Sequence, residues 1–291
     1  MNKKENLQQL QQPLPVVALV YDFDGTLSPG NMQEFGFIQA IGRDIDDFWT
    51  RSRELSEKND ASGILCYMYC MIHQAKANNI SLRRESFQRF GAMVELFPGV
   101  KEWFARINAY GRSQGLEVRH FINSSGLKEM IEGTAIAKEF ENIFASSFLY
   151  DVDGIAYWPA VAVDYTAKTQ FLYKINKGIN EVSDNVKINQ YMPEDERPVP
   201  FRHMIYFGDG ETDVPSMRMA KANGGHAIAV YRDAANPATA QRLIREDRAN
   251  FACLADYSDG GELDTVVKSI LRKIKADWDV EALLKKGGQG R

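Results

Sequence analysis

The chain has 291 residues, room for one large domain or about two ordinary ones. Lys and Arg total 35 against 39 Asp and Glu, and the resulting net charge of −4 argues against a nucleic-acid binder working through a clustered basic face. Three cysteines without a Cys-x-x-Cys pair exclude a disulfide scaffold and a zinc knuckle, so the expectation is a reduced, cytoplasmic protein.

In chain order, the Gln-rich opening (residues 1–12) reads as a mobile tail. Val16 to Tyr21 is a continuous apolar, β-branched run that suits a strand buried on both faces. From Gly30 to Glu95 the pattern is helical only. One helix starts at Asp44 with Phe48 and Leu55 inward, and another at Ser81 with Phe87, Phe90 and Met93 inward. Cys66 and Cys70, four apart among Met68, Met71 and Ile72, belong to the core of this segment. The run Ile64 to Ile72 is less than half of the roughly 20 residues a membrane helix needs.

Phe97-Pro98-Gly99 closes the helical stretch. A helix over Gly99 to Ser113 follows, with Val100, Trp103, Phe104 and Ile107 on its inner face, and then a strand over Val118 to Asn123. Two short strands between Ser147 and Val163 flank the turn Asp151-Val152-Asp153-Gly154. Residues 185–200 read as a surface loop, and Met204 to Gly208 and His226 to Tyr231 are two more buried strands. Strand-helix alternation predicts an α/β fold with a doubly wound parallel sheet. The domain reading is an α/β core over residues 1–29 and 96–291, with an all-helical insertion over 30–95.

Two segments carry most of the chemistry. In VYDFDGTL, Asp22 and Asp24 sit two apart where a buried strand ends, and Gly25 allows a sharp turn; an Asx turn is the alternative reading. In MIYFGDGETD, Asp209 follows a second buried strand and Asp213 follows four residues on, also placed to cap a helix before Pro215. Ser124 follows a third strand. Lys168, with Thr166 as N-cap, falls in the first turn of a helix, where a cation opposes the dipole unless an anion is near. A solvated surface lysine is the alternative. Lys168→Ala is expected to relieve the dipole conflict, so that stability changes little or rises slightly while catalysis falls strongly. Strand ends on one edge of an open α/β sheet are where ligands bind. Carboxylates converging there repel, and a hard divalent cation, Mg²⁺ beside a phosphate, relieves the repulsion. The four histidines share no metal-ligand spacing.

Asp-x-Asp-Gly-Thr, a strand-ending Ser, a later Lys and Gly-Asp-x-x-x-Asp, in this order, resemble the four motifs of the haloacid dehalogenase superfamily, over about Val16 to Tyr257. The resemblance implies a Rossmann-like core with residues 30–95 as a helical cap, similar to phosphoserine-phosphatase-like members. It implies Asp22 as nucleophile forming an aspartyl-phosphate, and Asp24 as acid and then base. It further implies Ser124 and Lys168 as holders of the phosphoryl oxygens. Mg²⁺ would be ligated by Asp22, the Asp24 backbone carbonyl and Asp209, with Asp213 in support. Ser125 is the alternative hydroxyl and Lys174 the alternative cation. A second acid at Asp24 favours phosphate esters over halides, because a departing alkoxide needs a proton. Gly25 stands where the phosphoserine branch often has Ser. Glu34, Arg53, Arg83 and Arg84 either read a charged substrate or form surface pairs.

The expected activity is Mg²⁺-dependent hydrolysis of a small phosphorylated metabolite, with no nucleic-acid or membrane partner. A phosphotransferase or phosphomutase sharing the nucleophile, and a non-catalytic phospholigand-binding protein, are the rivals. Residues 30–95 are expected to act as a lid hinged near Ser28-Pro29-Gly30 and Phe97-Pro98-Gly99.

Overall fold

The computed structural model describes residues 14–288, so the expected tail lies outside the described residues. Seven strands form one sheet: β1 (Val16–Tyr21), β2 (Glu117–Leu127), β3 (Asn142–Tyr150), β4 (Ala156–Val161), β5 (Met204–Gly208), β6 (His226–Tyr231) and β7 (Phe251–Leu254), in the order β4-β3-β2-β1-β5-β6-β7. All neighbours pair parallel except β3 and β4, which form the antiparallel hairpin. The apolar runs expected for β1, β5 and β6 match their observed bounds, and β1 lies at the centre of the sheet. Alternation along β1 divides two cores: Val17, Leu19 and Tyr21 face one, Ala18 and Val20 the other.

Eleven α-helices accompany the sheet among the described residues: α1 (Phe37–Ala40), α2 (Ile45–Asn59), α3 (Gly63–Ala77), α4 (Arg84–Gly91), α5 (Val100–Ser113), α6 (Lys128–Gly133), α7 (Ala167–Asn176), α8 (Asn185–Asn189), α9 (Val214–Ala222), α10 (Ala238–Arg245) and α11 (Glu262–Gly288). None is long and apolar enough to cross a membrane. Helix α2 starts where Asp44 was expected to cap it, its carboxylate accepting the Asp46 and Asp47 N–H groups. The face of α5 buries Val100, Trp103, Phe104 and Ile107 as expected.

Several expectations need correction. Helix α4 begins at Arg84 rather than Ser81, and Met93 lies beyond its end, 59% exposed. Strand β2 continues through Ser124 to Leu127, because β3 pairs with Ser124 and, after a register shift, with Leu127. Strand β3 starts at Asn142 as a parallel partner of β2 before turning into the hairpin. The stretch 185–200 contains α8 and a 3-10 turn rather than loop alone.

Residues 30–95 contain a 3-10 turn (Met32–Glu34), α1 to α4 and no named strand, but they do not form a separately packed body. Their buried Phe37, Phe48, Met68 and Phe87 join the same apolar cluster as Leu19, Trp103 and Ile205. Helix α4 lies against α6 with no space for a side chain at the crossing. A Cβ on Gly91 would stand 1.9 Å from the Met130 carbonyl oxygen, and one on Gly133 2.0 Å from that of Gln88. Arg84 adds an ion pair to Glu132 at 3.0 Å, and Ala156 N–H donates to Leu82 O across to the hairpin. The segment expected to act as a lid thus packs on the rest of the chain through α4 and the residues just before it.

Candidate active site

The carboxyl ends of β1 and β5 and the far end of β2 converge on one edge of the sheet. Asp22 follows β1 directly: its N–H still donates to Phe207 O of β5, and its Oδ1 accepts the N–H of Phe23. The chain then folds sharply, with Thr26, Leu27 and Ser28 all donating to Phe23 O. Gly25 takes φ +73° there, and a Cβ on it would stand 2.1 Å from Asp209 Oδ2. Only a residue without a side chain lets the Asp209 carboxylate settle against this turn. Asp24 is turned toward the 3-10 turn and accepts Met32 N–H at 3.0 Å. Burial and the neighbouring Asp22 carboxylate hold the Asp24 carboxyl well above the ordinary carboxylate range, against the opposing bond from Met32.

Lys168 overturns the surface reading. Its side chain is 0% exposed, and its Nζ lies 2.9 Å from Asp22 Oδ2 and 2.7 Å from Asp213 Oδ1. Burial alone would lower the ammonium, but Asp213 and Asp22 outweigh it and hold Lys168 above its ordinary value. The expected dipole conflict in α7 is therefore met by two anions. Asp213 sits at the N-cap position of α9, yet its side chain makes no cap bond: Oδ1 accepts Lys168 Nζ and the Tyr206 hydroxyl, the latter at 2.7 Å. Burial pushes Asp213 up, with the Lys168 ammonium opposing. Asp209 is pushed up to about 8 by burial and by the nearby Asp213 and Asp22.

Carboxylate oxygens of Asp22, Asp209 and Asp213 lie within 4.8 Å of one another. Three hard oxygen donors converge beside one buried ammonium, that of Lys168, which pairs with Asp22 and Asp213, so the residues fit a divalent ion of the Mg²⁺ type. The Asp24 carboxyl lies outside this set.

Both candidate hydroxyls line the cavity above these groups. Ser124 Oγ accepts the N–H of Gly126 at 3.1 Å, which leaves its own proton to donate; Ser125 Oγ is buried without a partner. Lys174 is not brought to the site, its Nζ being bound by the carbonyls of Glu181 and Asp184. Of the four charged candidates of the helical segment, only Glu34 lines the cavity. Three positioning groups escaped sequence reasoning. Asn123 donates from Nδ2 to Lys168 O, Tyr206 holds Asp213, and the Tyr67 hydroxyl donates to Ser125 O. The hydroxyl of Tyr206 within an otherwise apolar buried strand was the one available signal.

The cavity encloses about 600 Å³, with Asp22, Asp24 and Asp209 on its floor and Trp49, Ile64 and Tyr67 on the wall from α2 and α3. The model of the haloacid dehalogenase-like hydrolase family matches residues 19–218, a span that holds every motif residue of this floor. The chain belongs to this family. An uncharacterized protein of Borreliella burgdorferi is 28% identical over 290 residues, covering 90% of this chain and 96% of that one. A solved substrate-bound phosphoserine phosphatase superposes with a TM-score of 0.52 at 15% identity, covering 87% of this chain and 97% of that one. A probable phosphoserine phosphatase from Vibrio cholerae superposes with a TM-score of 0.54 at 13% identity, covering 96% and 73%. The two structural similarities bear out the α/β, Rossmann-like fold of this family.

Proposed function

We propose that this family member hydrolyses a small phosphomonoester through a covalent aspartyl-phosphate. The observation that carries the reading is the pairing of opposite behaviours two residues apart. Asp22 Oδ2 lies 2.9 Å from the buried Lys168 Nζ, while burial and the neighbouring Asp22 raise the Asp24 carboxyl well above the ordinary carboxylate range.

A carboxylate oxygen of Asp22 attacks phosphorus, and the P–O bond to the leaving group breaks as Asp24 gives that oxygen its proton. Asp24, now a carboxylate, takes a proton from water, whose oxygen attacks phosphorus, releases inorganic phosphate and restores Asp22. Lys168 faces the charge that develops on the phosphoryl oxygens, and Ser124 or Ser125 donates to them. Asn123 and Tyr206 act through others: Asn123 fixes the first turn of α7, and Tyr206 fixes the carboxylate that holds Lys168. When bound by Asp22 and Asp209, with Asp213 in support and the Asp24 carbonyl as a further oxygen donor, Mg²⁺ supplies charge neutralisation at the phosphoryl group.

Turnover of p-nitrophenyl phosphate tests the reading. EDTA should abolish it and Mg²⁺ restore it, and Asp22→Asn should lower kcat by about three orders of magnitude or more. A folded Asp22→Asn variant with near-normal kcat would overturn it.

A further inference from the structure

We propose that the leaving group selected by this cavity carries a cationic nitrogen and no carboxylate, so that the substrates are amino-alcohol phosphates; this rests on the phosphatase reading. The wall above the phosphoryl site is built around an unbalanced anion. Glu34 Oε1 accepts the Trp49 indole N–H at 2.8 Å and the Asn31 amide at 2.6 Å, both neutral donors, and Glu34 forms no ion pair among the described residues. Its Oε2 lies against Gly30, where an added Cβ would stand 3.0 Å away, and Oε1 holds the carboxylate in place through its two donors.

Gln33, beside it, is 1% exposed and lines the same cavity, yet its side-chain Oε1 has no partner. A buried acceptor without a donor is a standing cost that an N–H of the substrate removes. The rings of Trp49 and Tyr67 complete the wall with centroids 6.0 Å apart, and the Tyr67 hydroxyl is pinned to Ser125 O next to the candidate phosphoryl ligands. Aromatic rings beside a fixed carboxylate attract ammonium groups.

A carboxylate on the substrate meets the opposite environment. Glu34 stands on the leaving-group wall without an ion pair among the described residues, and the one basic lining residue of the cavity, Arg232, is exposed and donates to Pro29 O. Amino-alcohol esters should therefore be preferred over phosphoserine, which carries the same nitrogen with an added carboxylate.

The test measures kcat/KM with Mg²⁺ for phosphoethanolamine, phosphocholine, propyl phosphate, glycerol phosphate and phosphoserine. At least one amino-alcohol ester should exceed the other three by about tenfold or more, and Glu34→Gln should reduce that preference by a similar factor. Trp49→Phe, which removes the indole donor but keeps a ring, should weaken the preference in the same direction and serves if Glu34→Gln does not fold. Phosphoethanolamine ahead of phosphocholine assigns part of the selection to the Gln33 acceptor. Equal rates across the panel, a lead for phosphoserine, or a preference untouched by both variants overturns the inference alone. A wild-type protein inert toward every ester, p-nitrophenyl phosphate included, overturns the phosphatase reading instead.

Discussion

Lys168→Met removes one ammonium but strands two carboxylates, since Nζ lies 2.9 Å from Asp22 and 2.7 Å from Asp213 in a fully buried position. Methionine fills a similar volume, so the change isolates the charge. Breaking a buried pair by removing one partner costs about 3–5 kcal/mol, far more than a surface lysine would. For a chain of this size that corresponds to a fall in Tm of roughly 5–8 °C. The sign of the pH dependence follows from Asp213, whose carboxyl burial raises and Lys168 opposes. Without the ammonium it rises further, the native state binds a proton that the unfolded state does not, and stability falls as pH increases. The deficit should therefore be larger at pH 8 than at pH 5 when melting is followed in EDTA. A variant whose Tm stays within about 1 °C of wild type at both pH values would show that the three charges are not coupled.

In the metal-free protein Asp209 is pushed up to about 8, so it carries a proton at neutral pH, and its contribution to stability is lost as pH rises from the ordinary carboxylate range through that value. Binding Mg²⁺ near pH 7 should release about one proton, read by calorimetry in buffers of different ionisation enthalpy; heats independent of buffer would contradict this. Gly25→Ala forces a side chain into the left-handed region and 2.1 Å from Asp209, so calorimetry should find Mg²⁺ affinity and assays find activity lost together, with about 1–3 kcal/mol of stability. Gly91→Ala, which would favour an isolated helix by about 1 kcal/mol, should instead destabilise by about 1–3 kcal/mol in urea titrations, because its methyl meets the Met130 carbonyl.

The parts of the fold legible in the sequence were those whose burial is symmetric. β1, β5 and β6 lie inside the sheet, and their unbroken apolar runs announce it. β7 was missed because it is a four-residue edge strand with Phe251 exposed. The end of β2 was missed because Ser-Ser-Gly has little strand propensity; pairing with β3 and the donors Tyr67 and Ser146 on Ser125 O hold it extended. The spacing of Asp22, Asp24, Asp209 and Asp213 was visible, but not that Lys168 lies between two of them. A dipole argument considers only a residue's own helix, whereas these anions arrive from β1 and from the start of α9. Met93 fitted a helical stripe, but α4 stops at Gly91 and leaves it outside.

The glycine crossing of α4 and α6 bears on how such hydrolases can exchange parts. A foreign helical segment grafted over residues 30–95 would have to present a bare backbone at the place of Gly91, or be wedged away by the Met130 carbonyl. The reverse holds at Gly133 against Gln88, so neither helix can be replaced without its counterpart. α6 follows β2 without an intervening loop, and β2 ends in Ser124, Ser125 and Gly126. A graft that brings a new leaving-group wall to this chain would therefore have to carry the hydroxyl-bearing strand end with it, although Tyr67 and Ser124 lie 57 positions apart in the chain.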